Sequence, residues 1–341
     1  MKKTVRFILI LILILVLFAA WKVFGPSVSA PEEKFLYIKS GATFGQVKED
    51  LISKKIISSA HYWFDWIAGA MKFNSVKAGK YEIKKSMSLF ELIRVLKNGK
   101  QTPVKLVITK LRLKEDFARK LGQQFEFDSL AAMQFLTNND SLKKFGVDSN
   151  TVMAVVMPDT YSFFWNSDPE KVYQKLFDHW KKFWNDERKR KASSIQLDPI
   201  QVSTLASIVD EEVNLKSEKE KIASVYLNRL HQNMEMQSCP TVKYALRDFA
   251  LTRLYYKHLK VESPYNTYEN RGLPPGPICT PQPETIDIVL NAPQTDYLYF
   301  VANSDFSGTH IYTSNYAYHL KFAKKFAEAQ DKQDSIRKAN H

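Results

Sequence analysis

The apolar positions of this chain change their period several times, and each change marks an element. Residues 7–21 are unbroken Ile, Leu, Val, Phe, Ala and Trp, Val23-Phe24 continues the run past Lys22, and Lys2, Lys3 and Arg6 precede it. The run is somewhat shorter than the ~20 residues that cross a bilayer comfortably, and snorkelling of Arg6 and Lys22 extends its reach. It predicts a retained single-pass anchor in the cytoplasmic membrane. The basic cluster keeps the N-terminus in the cytoplasm, so everything after residue 25 lies on the extracytoplasmic side. A cleaved signal peptide is the competing reading, because Ser-Val-Ser-Ala30 resembles a small-residue cleavage site. The length of the run and an interfacial Trp21 favour the anchor.

After a linker at 26–34, a short period-2 run at Phe35-Leu-Tyr-Ile38 predicts a strand. Thr43-Phe-Gly-Gln46 has the form of a capping box and opens a helix with Val47, Leu51 and Ile52 inward. Ser58 or Ser59 caps a second helix through Tyr62, Trp66 and Ile67, and Ala78–Ile83 turns into a second strand. Ser88-Leu-Phe-Glu91 caps a further helix that Asn98-Gly99 ends. This strand-helix-helix-strand unit occupies 35–102, and the strand at 104–108 opens a larger mixed α+β domain over 103–330. Helical periods follow at 114–122, 128–136 and 169–186, while 188–198, charged and then Ser-rich, reads as an exposed connection. Another amphipathic helix covers 218–231, with Ile222, Val225, Tyr226 and Leu230 inward. The segments 237–242, 263–268 and 272–278 are dense in Pro, Gly and hydrogen-bonding side chains, and read as loops that wall a groove. Asp296–Ala302 and Ser307–Tyr312 predict a strand pair, and a helix from Asn315 leads into a polar tail at 331–341.

One stretch of the larger domain carries chemistry. In Thr204-Leu-Ala-Ser-Ile-Val-Asp-Glu-Glu-Val213 the apolar stripe Leu205, Ile208, Val209 lands one turn later on Glu212. A carboxyl on an inward face is desolvated, which raises its pKa and lets it hold a proton near neutral pH. Periodicity alone favours a Glu212 that sits at the helix end in water, since Glu is rarely buried without a partner. Asp210 and Glu211 fall off the stripe and read as solvated. The net charge of +13 suggests an anionic partner, and export excludes nucleic acid. The two cysteines, Cys239 and Cys279, show no metal-ligand spacing and are compatible with one disulfide or with two free, buried thiols.

Several unusual segments occur in one order: Met157-Pro-Asp-Thr-Tyr161, Ala206-Ser-Ile-Val-Asp-Glu-Glu212, Ala223–Leu230, Gln237-Ser-Cys-Pro-Thr-Val242, Tyr265-Asn-Thr-Tyr268, Gly272-Leu-Pro-Pro-Gly-Pro-Ile278, Tyr297–Ala302 and Gly308-Thr-His310. Together they resemble the MltG/YceG family of endolytic murein transglycosylases. The resemblance implies a LysM-like arrangement for 35–102, a YceG-like catalytic domain for 103–330, and Glu212 as the catalytic acid. It implies no cofactor and no metal. Asp210 stands where the family carries a longer acid, and Cys239 where it commonly carries Asp. Both cysteines fall in motif segments expected near the cleft, which keeps a Cys239–Cys279 disulfide in view.

The implied reaction is cleavage between N-acetylmuramic acid and N-acetylglucosamine within nascent peptidoglycan strands, leaving a 1,6-anhydro end and terminating polymerisation. Glu212 acts first as acid and then as base. Gln237, Tyr265, Asn266 and Thr267 are the expected substrate contacts, with local loop stabilisation as the alternative for each. His310 and Asp159 are expected to be structural, and Pro274-Pro275 to shape the groove. The implied partners are glycan strands, the cytoplasmic membrane and penicillin-binding synthases. Three readings compete. A non-catalytic wall-binding scaffold needs no Glu212, a lysozyme-type hydrolase needs a second carboxylate, and a pyridoxal-phosphate lyase needs a cytoplasmic Schiff-base lysine.

Overall fold

A computed structural model describes residues 2–57 and 61–339. The fold is mixed α and β, with helices predominating and strands confined to short ladders. In order, the elements are α1 (Lys2–Phe24), β1 (Phe35–Ile38), α2 (Phe44–Ser53), α3 (His61–Ala70), β2 (Gly79–Glu82), α4 (Leu89–Asn98), β3 (Val104–Ile108), α5 (Lys114–Gln124), α6 (Ser129–Thr137), α7 (Asn139–Lys143), β4 (Asp159–Phe163), α8 (Pro169–Phe183), α9 (Asp186–Ser194), α10 (Pro199–Glu212), α11 (Lys216–His231), α12 (Cys239–Leu246), α13 (Tyr256–Leu259), α14 (Pro283–Leu290), β5 (Tyr299–Ala302), β6 (His310–Thr313) and α15 (Tyr316–Ala339). Two compact units emerge. One comprises Met1–Leu106, Gly122–Asp128 and Ser162–Asp168, and the other Val107–Leu121, Ser129–Tyr161 and Pro169–His341. The division passes through β3, α5 and β4 rather than at one point in the sequence.

In the first unit, α1 contains a stretch, Lys3–Phe24, long and apolar enough to cross a membrane. Strands β1 and β2 pair antiparallel, Phe35 opposite Glu82 and Ile38 opposite Gly79. The capping boxes of α2 (Thr43, Gln46) and α4 (Ser88, Glu91) are both formed, and Gly99 ends α4 in the left-handed conformation at φ 67°. The predicted caps Ser58 and Ser59 lie outside the described residues. Leu36, Leu51, Phe64, Tyr81, Leu92 and Leu96 close the core. One predicted inward position shifts. Ile52 is exposed, and α3 buries Phe64, Ile67 and Ala68 while turning Tyr62 and Trp66 outward. Both aromatics lie one step off the stripe that reaches the core. The stretches 122–128 and 162–168 join this unit through specific contacts. The Ser40 backbone N–H and hydroxyl each donate to Glu126 at 2.6 Å, and Trp165 meets Tyr37 at 5.1 Å between ring centroids.

The second unit packs α10 at its centre. Val202 to Val209 are all buried, and α11, α12, α14 and α9 surround them. Pro199 at the first turn, with Asp198 and Gln201 forming a capping box, fixes where α10 begins. Strands β5 and β6 pair antiparallel, Tyr299 opposite Thr313 and Ala302 opposite His310. The expected connection at 188–198 is instead largely helix α9. Asn185 caps it by accepting from the Arg188 N–H, and Arg188 anchors it through a two-pronged pair with Asp287 at 2.7 and 2.9 Å. Much of the expected loop at 237–242 is likewise helical, because Pro240 sits in the first turn of α12, where a missing N–H costs nothing. The polar tail is helical to Ala339.

Two glycines of the Gly272–Pro277 segment are required for different reasons. Gly272 has φ 81° with open space around it, so its need is conformational. At Gly276 a Cβ would stand 2.1 Å from the Asn150 carbonyl oxygen, a backbone atom that cannot swing aside. Gly276→Ala is therefore expected to destabilise the protein by about 1–3 kcal/mol, as overpacking does. Gly272→Ala should cost roughly 1 kcal/mol. Chemical denaturation of the two variants would reveal the opposite order if the close approach were unimportant.

Candidate active site at the end of α10

Glu212 is the last residue of α10 and is half-buried. Its Oε1 accepts two hydrogen bonds, from the Tyr226 hydroxyl at 2.6 Å and from the Ser238 hydroxyl at 2.7 Å. Among the described residues no hydrogen bond is seen to Oε2. Burial pushes the Glu212 carboxyl above its ordinary pKa. The hydrogen bonds from Tyr226 and Ser238, and the nearby His310 and Lys243, pull it partly back. Tyr226 is itself fully buried, and burial together with the Glu212 charge keeps its phenol protonated and donating. Two neutral hydroxyls thus anchor one oxygen of the carboxyl.

The flanking acids are not solvated, contrary to the reading from periodicity. Asp210 is 3% exposed. It pairs with Lys219, accepts from the Thr285 hydroxyl at 2.8 Å and from the Gln282 N–H at 3.0 Å, and lies 4.0 Å from the Lys110 ammonium. Glu211 is held by Arg112 at 2.8 and 3.0 Å and by Lys110 at 3.2 Å. These cations come from α11 and from the segment after β3, far away in sequence, so periodicity carries no sign of them. Glu218 is also buried, and accepts from the His310 N–H at 2.7 Å, the Tyr312 hydroxyl at 2.9 Å and His310 Nδ1 at 3.1 Å. Burial opposes its charge, but these donors hold the Glu218 pKa below its ordinary value. Each acid near Glu212 in the sequence is therefore committed to partners of its own.

Ser238 reaches Glu212 because its loop is clamped. Thr267 accepts from the Ser238 N–H at 3.0 Å through its hydroxyl and from the Gln237 N–H at 2.9 Å through its carbonyl. Thr241 bonds both the Thr267 hydroxyl and the Ser238 carbonyl at 2.8 Å. The Arg229 guanidinium, buried without a carboxylate, binds the carbonyls of Leu298, Glu235 and Met236 at 2.6, 2.9 and 3.1 Å. Its bonds tie the approach to Ser238 to the start of β5. Neither Tyr226 nor Ser238 was an expected site residue. Tyr226 carried a usable signal, since a phenol on an inward stripe needs a polar partner.

The four expected substrate contacts separate. Gln237 is exposed, in a left-handed conformation at φ 53°, beside Ser238. Tyr265 packs on Tyr244 at 4.7 Å and lines a different cavity of about 220 Å³ with Lys114 and Arg247. Asn266 is fully buried, its amide donating to the Leu259 and Val261 carbonyls while its oxygen accepts from the Tyr268 N–H. Thr267 is 1% exposed and spent on the Ser238 clamp. The polar side-chain atoms of Asn266 and Thr267 all have protein partners. Pro274 and Pro275 line a cavity of about 990 Å³ at the other end of α10, and Glu212 is not among its lining residues. His310 is bonded to Glu218, and Asp159 lies 3.4 Å from His179. Cys239 and Cys279 are free thiols, not a disulfide. Cys239 is exposed, 3.4 Å from the Tyr268 hydroxyl, whereas Cys279 is buried against the Ser207 carbonyl.

Residues 36–325 match the YceG-like family across most of the chain. The chain belongs to that family. This YceG-like chain is 28% identical over 334 residues to the endolytic murein transglycosylase of Bacillus subtilis (strain 168), covering 90% of each. It is 28% identical over 273 residues to the endolytic murein transglycosylase of Streptococcus pneumoniae (serotype 2), covering 70% of this chain and about half, 49%, of that relative. The crystal structure described as a yceG-like protein of Listeria monocytogenes aligns with a TM-score of 0.55 at 26% identity, covering 84% of this chain and 98% of that one.

Two outcomes test the site. Asp210→Ala strands the Lys219 ammonium in a buried position and should cost about 3–5 kcal/mol, read as a lower denaturation midpoint. The Ser238 hydroxyl stabilises the charged form of Glu212, so Ser238→Ala should move the Glu212 titration to higher pH. Carboxyl-carbon NMR measures this directly, and a downward move would refute the assigned hydrogen bond.

Proposed function

We propose that this chain is a peptidoglycan lytic transglycosylase, with Glu212 as its single acid and base. The observation that carries the reading is the asymmetry of the carboxyl. Oε1 is anchored by Tyr226 and Ser238, Oε2 has no hydrogen-bond partner among the described residues, and the neighbouring acids Asp210, Glu211 and Glu218 are each bound elsewhere. A hydrolase of the two-carboxylate kind needs a second acid free to act as nucleophile or base. The names of the Bacillus and Streptococcus relatives support the same chemistry.

In this reading Glu212 Oε2 protonates the glycosidic oxygen as the bond from C1 of N-acetylmuramic acid breaks. The substrate's acetamido group or ring oxygen relieves the charge at C1. The Glu212 carboxylate then takes the proton of the muramic 6-hydroxyl as that oxygen attacks C1, which forms the 1,6-anhydro ring and restores the acid. The nucleophile is tethered, so positioning supplies most of the required help. A raised pKa suits a group that must both give and take a proton near neutral pH. Gln237, exposed beside Ser238, serves as a sugar contact, and Tyr265 lines a more distant subsite, while Asn266 and Thr267 act through the loop they hold.

Helix α1 anchors the enzyme in the cytoplasmic membrane with the second unit on the extracytoplasmic side, where nascent strands emerge and where cleavage ends polymerisation. The βααβ unit, LysM-like in order, holds glycan, and penicillin-binding synthases are the expected neighbours. Digestion of uncrosslinked glycan, read by mass spectrometry, tests the central claim. Wild type should yield 1,6-anhydro ends, and Glu212→Gln, which can still accept from Tyr226 and Ser238, should lose at least 10²-fold in rate. Reducing ends would point to hydrolysis, and equal rates would point to a non-catalytic scaffold.

A further inference from the structure

Helix α3 turns two aromatic rings away from the core it helps to build. Tyr62 and Trp66 are 75% and 62% exposed, one helical turn apart, and Gly69 continues the same stripe. The opposite stripe, Phe64, Ile67 and Ala68, is buried. Two large exposed rings on one helix face are an unusual use of a solvent surface. Their chemistry, an apolar body with a polar hydroxyl or N–H, is that of side chains enriched where hydrocarbon meets water.

The position of α3 beside α1 says which water boundary this is. The Trp63 ring meets Phe18 of α1 at 6.5 Å, edge to face, and Trp63 meets Trp66 at 6.2 Å. Phe18 lies inside the stretch long and apolar enough to cross a membrane. It precedes Lys22 by one turn, about 6 Å of rise. The Lys22 ammonium sits 5.5 Å from the Phe18 ring and 5.1 Å from the Trp21 ring, an arrangement suited to a cation at head-group level above its own apolar helix. A ring in contact with Phe18 therefore stands no higher above the bilayer than Lys22 does. On the other side, Phe24 meets Phe90 of α4 at 5.3 Å, so the unit grips the end of α1 rather than trailing from it.

We propose that α3 is an interfacial helix whose Tyr62 and Trp66 insert into the outer head-group layer of the bilayer that α1 spans. The inference rests on the reading of α1 as a membrane anchor. Its consequence is mechanical: two helices, not one flexible tether, hold the first unit flush on the lipid surface. The occupant of the aromatic face is lipid, and a glycan strand stacked on the same rings is the outcome that would replace it.

The full-length chain in vesicles of phosphatidylethanolamine and phosphatidylglycerol tests this by nitroxide labelling. Position 69 accepts a label without strain, since a Cβ at Gly69 meets nothing within 4 Å. Cys239→Ser removes the exposed native thiol, and Cys279 is buried. The ratio of oxygen to nickel-chelate collisions at Gly69→Cys should be several-fold higher than at Glu82→Cys, an exposed site on β2 of the same unit. The Tyr62→Ser, Trp66→Ser double variant should bring the two ratios together. A label at Leu13→Cys in α1 separates the two ideas. Leu13 in lipid with residue 69 in water overturns the interfacial helix alone, and both in water overturns the anchor as well. Retention of the lipid signature in the double variant would remove the aromatic pair from the explanation.

Discussion

Two residues before Glu212 lies a carboxylate that water scarcely reaches, and the site depends on it. Asp210 pairs with Lys219 of α11 and takes hydrogen bonds from Gln282 and Thr285 at the start of α14. One side chain thus locks three helices at the point where α10 ends. A buried ion pair contributes little net stability compared with apolar packing, but removing either partner is expensive. Its value here is positional. The last turn of α10 cannot rotate without uncovering the pair, and Glu212 rides on that turn.

Three consecutive acids consequently have three different fates. Asp210 is a structural ion, Glu211 a half-exposed partner of Arg112 and Lys110, and Glu212 the one carboxyl whose contacts are hydrogen bonds from neutral hydroxyls. The Glu212 carboxyl, desolvated and held by the neutral hydroxyls of Tyr226 and Ser238, keeps a raised pKa. The contrast comes from which elements end near which oxygen. Arg229 and Thr267 extend the same logic outward, because they fix the loop that delivers the Ser238 hydroxyl.

The first unit meets a different constraint. It grows from the end of an apolar helix and must finish its core within about a hundred residues of it. Phe24 against Phe90 and Phe18 against Trp63 make α1 part of that packing. An apolar helix that is also packed against a domain has its orientation fixed relative to that domain. The outward aromatics of α3 lie on the same helix as Trp63, which packs against α1.

Much of this protein could be read along the chain. The apolar run, the two capping boxes, the order of β1, α2, α3, β2 and α4, and the stripe that singled out Glu212 are local signals, written in residues three to seven apart. Local patterns failed where a partner came from far away. Asp210 and Glu211 read as solvated because Lys219, Lys110 and Arg112 arrive from other elements, and apolar periodicity alone does not say which of two adjacent stripes of α3 meets the core. The loop partners of Asn266 and Thr267 were not legible either, because an amide or hydroxyl looks the same in sequence whatever it bonds. The sequence by itself determined where most elements lie and which acid is on an inward face, since helix periodicity and capping act within a few residues, although α9 and the start of α12 fall in segments that read as connections. Only the tertiary structure decided how Glu212 is desolvated and which partners hold each acid, because burial and charge pairing depend on what the rest of the chain brings within a few ångströms.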